Sequence, residues 1–121
     1  MSYEKNYNSF INNKLPQDQA YFYKRNEDGS IDYSTIIGYG GSNAVGGKDI
    51  VIPGEKNGVK LTTIAGSAFE GAGLMSVIIP NTVDTIGGAS FVSNKLTNLE
   101  IPEGVTSIGL RAFSGNPLTS V

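Results

Sequence analysis

The 121-residue sequence contains no cysteine and no histidine. Without cysteine there is neither a disulfide framework nor a thiolate ligand for zinc. With histidine also missing, the usual zinc sites are excluded, and so is the side chain most often used as a general base near neutral pH. No metal or other cofactor is expected. A net charge of −2 and a pI near 5.0 leave no basic footprint for nucleic acid or an anionic membrane. No apolar run approaches the ~20 residues of a membrane-spanning helix, so membrane insertion is not expected. The opening residues, MSYEKNYNSFINNKLPQDQ, lack the apolar core of a secretory signal.

What the chain has in quantity is glycine, 16 residues of it, and repetition. Phe69, Phe91 and Phe113 recur at a step of 22 residues without a gap. The same step relates Ile64, Ile86 and Ile108, and Leu74, Leu96 and Leu118. It also relates Leu61, Val83 and Val105, as well as Val77, Leu99 and Val121. Ile79-Pro80 returns as Ile101-Pro102. Self-similarity at a fixed period of this length is the signature of a solenoid. One coil offers only Val83, Ile86, Phe91, Leu96, Leu99 and Ile101 for burial, so single coils depend on stacked neighbours.

Residues 1–20 are polar and interrupted by Pro16, and read as a flexible or partner-docking arm carrying Phe10, Ile11 and Leu15. Residues 21–48 read as a β-hairpin cap and a Gly-rich connection. Two β-rich runs, YFYKR and IDYSTIIGYG, flank an Asp28-Gly29 turn, and a hairpin there would cover the open edge of the first coil. GYGGSNAVGGKD superficially resembles a phosphate loop, but Ser42 stands where the first glycine belongs and Asp49 where the hydroxyl belongs. A strand follows it rather than a helix, so no helix N-terminus faces a phosphate.

Residues 49–121 read as the solenoid, ending in mid-repeat. Three strands are expected to run into Ile52-Pro53, Ile79-Pro80 and Ile101-Pro102, parallel and about 4.8 Å apart. Proline has no N–H for a ladder, so it marks where each strand stops. Asn57-Gly58 predicts a protruding hairpin in GEKNGVK. Glycine-rich connections allow at most single-turn or 3₁₀ pieces near 66–69, 88–91 and 110–113. Asn94 and Asn116 read as a turn ladder that satisfies backbone groups at a corner.

Catalytic chemistry finds little support. Among the acidic residues of the repeats only Glu100 and Glu103 are close in sequence, with no basic neighbour and no cleft to face across. The serines have no base beside them and no GxSxG elbow. The chain is expected not to be an enzyme. Strand alternation instead points Val51, Ile78 and Glu100 outward, with Met75, Thr97 and Asn98 along the approach, as a candidate binding face. Leu118 and Val121 form a candidate assembly end, where a protein partner or a second copy would cover the last coil. The tyrosines at 21, 23, 33 and 39 suit either recognition or coverage of the first coil.

LTNLEIPEGVTSIGLRAF (96–113) and LMSVIIPNTVDTIGGASF (74–91) resemble the BspA-like class of bacterial leucine-rich repeats. DIVIPGEKNGVKLTTIAGSAF (49–69) is similar to the way such arrays begin. The resemblance implies a mainly β, right-handed leucine-rich-repeat solenoid with 22-residue coils. It also implies a protein-binding or adhesion role on the bacterial cell surface or outside the cell. The absence of a signal leaves a virion or phage-tail component as the alternative expectation. The family carries no active site to transfer.

Overall fold

The computed structural model describes residues 19–41 and 47–119. Most of the arm at 1–20, the middle of the Gly-rich connection, and Val121 of the assembly end lie outside the described residues. Those described form mainly strands, with almost no helix.

β1 (Tyr21–Arg25) and β2 (Ile31–Tyr39) are the expected antiparallel hairpin. Its turn closes where Gly29 adopts φ +90° and Asp28 Oδ1 accepts from the Ser30 amide at 2.9 Å and the Ser30 hydroxyl at 2.6 Å. A carboxylate placed to accept both bonds favours that tight loop over a longer one. The chain then passes through β3 (Asp49–Val51), β4 (Glu55–Lys56), β5 (Val59–Lys60), β6 (Thr63–Ile64), β7 (Ser76–Ile78), β8 (Thr85–Ile86) and β9 (Ser107–Ile108). β4 and β5 are the small antiparallel hairpin predicted from Asn57-Gly58, with φ of 51° and 80° at those two residues.

The longest ladder is not the Ile-Pro one. It runs β1-β2-β6-β8-β9, parallel from β2 onward, with Ile36, Ile64, Ile86 and Ile108 paired in register. Along the Ile-Pro strands, among the described residues, β3 and β7 pair through Ile50↔Val77 and Val51↔Ile78, and Asn98 makes a single isolated bridge. Residues 99–101 form no strand beside β7, which corrects the expectation of three paired strands on that face. The two faces differ for a physical reason. On the Thr-Ile face, Gly87 and Gly109 let the backbones close up, since a Cβ on either would collide with the glycine backbone one coil below. On the other face the strands run alike into Pro53, Pro80 and Pro102, which stop each strand without deciding which coils pair, since β3 and β7 pair despite their prolines.

Between the two faces the chain turns inward on its phenylalanines. Phe69 and Phe91 stack with ring centroids 5.0 Å apart and planes 2° apart; Phe91 and Phe113 follow at 5.4 Å and 10°. The approach to each ring is a single hydrogen-bonded turn, within the single-turn or 3₁₀ limit expected above. Ser67, Ala89 and Arg111 sit there at φ 61°, 55° and 60°, and a left-handed residue cannot continue a right-handed helical turn. The asparagine ladder is present as expected. Asn94 Nδ2 donates to the carbonyls of Phe69 (2.8 Å) and Phe91 (2.9 Å), while its Oδ1 accepts from the Leu74 amide at 3.0 Å. Asn116 repeats the pattern one coil on, to Phe91, Phe113 and Leu96. Each asparagine thereby ties its own turn to the coil before it.

Candidate binding face

On the Ile-Pro face the core leaves a strand row pointing out. Because β3 and β7 alternate, Ile50, Ile52 and Ile79 are buried and Val77 is half-buried, while Val51 and Ile78 stand outward at 64% and 61% exposure. Pairing places Val51 directly beside Ile78, so the two form a continuous apolar strip across neighbouring coils. Met75, 54% exposed, lies at the start of the same row. Thr97, Asn98 and Glu100 are all exposed. Val51, Ile78 and Glu100, expected outward, and Met75, Thr97 and Asn98, expected along the approach, are thus all exposed.

Beside this strip the missing pairing has a consequence. An open groove of about 840 Å³ runs between β7 and the following coil. Its sides are matched pairs one coil apart: Ser76 with Asn98, Ile78 with Glu100, and Asn81 with Glu103. Met75 and Thr97 do not line it. Asn81 and Glu103 were not singled out from sequence as part of this surface, although the 22-residue step already related them to each other. Among the described residues neither Glu100 nor Glu103 has an ion-pair partner, and no lysine or arginine lines the groove.

The tyrosines divide into two groups. Tyr21 and Tyr39 close the phenylalanine column, their rings lying 6.3 and 5.2 Å from Phe69 and 5.3 Å from each other. Burial, reinforced by the neighbouring Tyr39 and Tyr23, pushes the Tyr21 phenol well above its ordinary range. These two cover the first coil. Tyr23 and Tyr33 pack edge to face at 5.2 Å, and burial raises the Tyr23 phenol as well.

At the other end of the column the apolar positions become exposed. Ile64 and Ile86 have no accessible surface, whereas Ile108 in the same row is 47% exposed and Leu110 is 82% exposed. Phe113 and Leu118 pack against the core from one side only. The sequence reading named Leu118 and missed Ile108 and Leu110. Among the described residues no three acidic, cysteine or histidine side chains converge as metal ligands. No helix there is long and apolar enough to cross a membrane.

No curated protein matches the chain at a significant level. Among solved structures it is similar to the crystal structure of a T. pallidum leucine-rich-repeat protein, with 18% identity and a TM-score of 0.42. That match covers 87% of this chain and 69% of the other. The model of the BspA-type leucine-rich-repeat region matches residues 48–121, in six copies. Over that span lie the phenylalanine column, the Thr-Ile ladder and both asparagine bridges, and the chain belongs to the BspA-type leucine-rich-repeat family.

Proposed function

We propose that this chain is a non-enzymatic protein-binding module, a right-handed solenoid of 22-residue coils that takes its partner on the Ile-Pro strand face. The observation that carries the proposal is the side-by-side exposure of Val51 and Ile78 in one paired row. Exposed single aliphatics are ordinary, but two aligned on neighbouring strands and bordered by a groove make a surface that gains by being covered. Residues 21–48 serve as the cap and 49–121 as the repeat array, with the segment before them as an arm. The family's usual setting supports a surface-exposed or secreted adhesion role in a bacterium. Nothing in the fold or the family match favours the virion alternative.

The exposed Ile108 and Leu110 support a second contact on the same reading, in which the last described coil meets another protein or a second copy. The test of the main proposal is a binding comparison on immobilised extracellular matrix and serum proteins. At least one should bind the native chain, with a Kd weakened about tenfold by Val51→Ser/Ile78→Ser, and Glu100→Lys should alter that binding while leaving the fold intact. Binding that survives both changes would place the partner elsewhere. The second contact predicts concentration-dependent association in sedimentation, abolished by Ile108→Asp/Leu110→Asp. A chain that stays monomeric at high concentration would count against self-association.

A further inference from the structure

The groove between β7 and the next coil has a chemistry that the apolar strip alone does not define. Along it the matched pairs change in character. Ser76 and Asn98 are neutral, Ile78 and Glu100 join an aliphatic face to a carboxylate, and Asn81 and Glu103 end on a second carboxylate. Both carboxylates are exposed, neither has an ion-pair partner among the described residues, and every other lining residue is uncharged. An unpaired acid on a flat surface is simply solvated. Two acids on one wall of a groove, facing an exposed aliphatic row, instead present a fixed pattern to a ligand. Two residues, Ile101 and Pro102, separate Glu100 from Glu103, so their Cα atoms lie at most about 10 Å apart, and both glutamates line the same groove.

We propose that this groove takes an extended peptide segment of a partner protein, with two basic side chains spaced one residue apart meeting Glu100 and Glu103 and a flanking aliphatic residue packing on Ile78 and Val51. This rests on the strand face being the binding face, and it adds the partner's chemistry. In an extended segment, side chains at i and i+2 point the same way about 6.6 Å apart, a spacing within reach of two flexible glutamate side chains whose Cα atoms lie at most about 10 Å apart. Asn81 and Asn98 can each donate and accept, and so can satisfy a peptide backbone lying between the walls. The complementarity sets specificity and encounter rate more than raw affinity, so a short peptide should bind weakly and with clear salt dependence.

The experiment uses the full chain and an acetylated, amidated octapeptide alternating lysine with valine, compared with the same peptide carrying glutamate or glutamine in place of lysine. Backbone amide shifts followed by NMR should move for Ile78, Asn98, Glu100 and Glu103 on addition of the lysine peptide, and not on addition of the glutamate peptide. Glu100→Gln/Glu103→Gln should weaken that binding at least about fivefold, a loss within the range of surface ion pairs. Glu55→Gln/Glu70→Gln removes the same net charge elsewhere and should leave binding unchanged. Three outcomes overturn the inference. One is equal binding of the glutamine or glutamate peptide. Another is equal weakening by the two double variants. The last is an absence of shifts at these amides with millimolar peptide. A matrix or serum protein lost on Val51→Ser/Ile78→Ser but indifferent to Glu100→Gln/Glu103→Gln would leave the binding face standing and remove only the basic partner.

Discussion

Replacing Asn94 by alanine should be among the most damaging single polar substitutions in this chain, and the size of the loss can be worked out group by group. Asn94 is 4% exposed and engages three backbone groups. The two carbonyls keep other donors: the Phe69 carbonyl still receives the Ala72 amide at 3.3 Å, and the Phe91 carbonyl still receives Asn116 Nδ2 at 2.9 Å. Each therefore loses one bond, worth about 0.5–1.5 kcal/mol. The Leu74 amide, in a residue with no accessible surface, loses its acceptor, and an orphaned buried donor costs about 1–3 kcal/mol. The sum is about 2–6 kcal/mol. Asn116→Ala breaks the same three kinds of bond, but Asn116 is half-buried on the last described coil, where water can replace its bonds to Phe113. Its cost should be smaller by at least about 1 kcal/mol.

Urea unfolding followed by circular dichroism measures both losses, provided that the m-value is unchanged and the transition therefore still reports the same unfolding. Hydrogen exchange adds a local readout, because the Leu74 amide should lose protection selectively in Asn94→Ala. A loss below about 1 kcal/mol for Asn94→Ala, or one no larger than for Asn116→Ala, would refute the reasoning. It would mean that the asparagines decorate a corner held by the backbone alone.

Three further expectations use other parts of the fold. Phe91→Ala, in the middle of the ring column and fully buried, should cost about 3–5 kcal/mol in the same assay, and a loss under about 1 kcal/mol would show that the column is not a core. Gly87→Ala and Ala89→Gly should move stability in opposite directions although they lie two residues apart. A Cβ on Gly87 meets the Gly66 backbone, which cannot move aside, whereas Ala89 sits at φ 55°, where glycine relieves about 1 kcal/mol of strain. Thermal unfolding of the pair decides the matter, and a destabilised Ala89→Gly would contradict the strain argument. The raised Tyr21 phenol makes an alkaline prediction. Its folded pKa lies above its unfolded value of 10.0, so the stabilisation is complete below pH 10.0 and is lost as pH rises beyond it. Ultraviolet titration of phenolate should show a late-ionising fraction whose latest part Tyr21→Phe removes, Tyr23 being raised as well, and ionisation of every tyrosine near its ordinary value would refute the burial.

The fold was legible because each coil repeats its residue types in register. The step that aligned Phe69, Phe91 and Phe113 also placed their rings face to face, since a column position is occupied by one side-chain shape at every level. The asparagine bridges were legible for a similar reason: a buried corner that recurs with an amide side chain has backbone groups to satisfy. Strand pairing was misjudged because runs such as SVII and NLEI look more strand-like than the two-residue Thr-Ile segments. What decides pairing is how closely two backbones can approach, and that depends on Gly66, Gly87, Gly88 and Gly109 contacting one another across coils. Those contacts join residues from different coils, and a reading along one strand does not register them.

The same distinction explains what was and was not visible at the candidate site. Alternation within a strand is local, so the outward direction of Val51, Ile78 and Glu100 followed from the period of two. The groove depends on a ladder that stops, and so on which coils pair, a matter of contacts between coils. In a ladder continuing through Ile79 and Ile101, the rows of β7 and the next coil would be drawn together into a flat sheet face. Strand pairing on this face is limited to β3 and β7 among the described residues, and the unpaired stretch is where Ile78, Glu100 and Glu103 line an opening. The proline that ends each strand marks the corner of the coil in paired and unpaired strands alike. A recognition surface on a repeat protein needs some such irregularity, because a regular stack offers every ligand the same face at every level. Here the uneven rows, Val51 then Ile78 then Glu100, and Asn81 then Glu103, coincide with the gap in pairing, and that coincidence is why the proposed binding face is set there rather than on the regular Thr-Ile ladder.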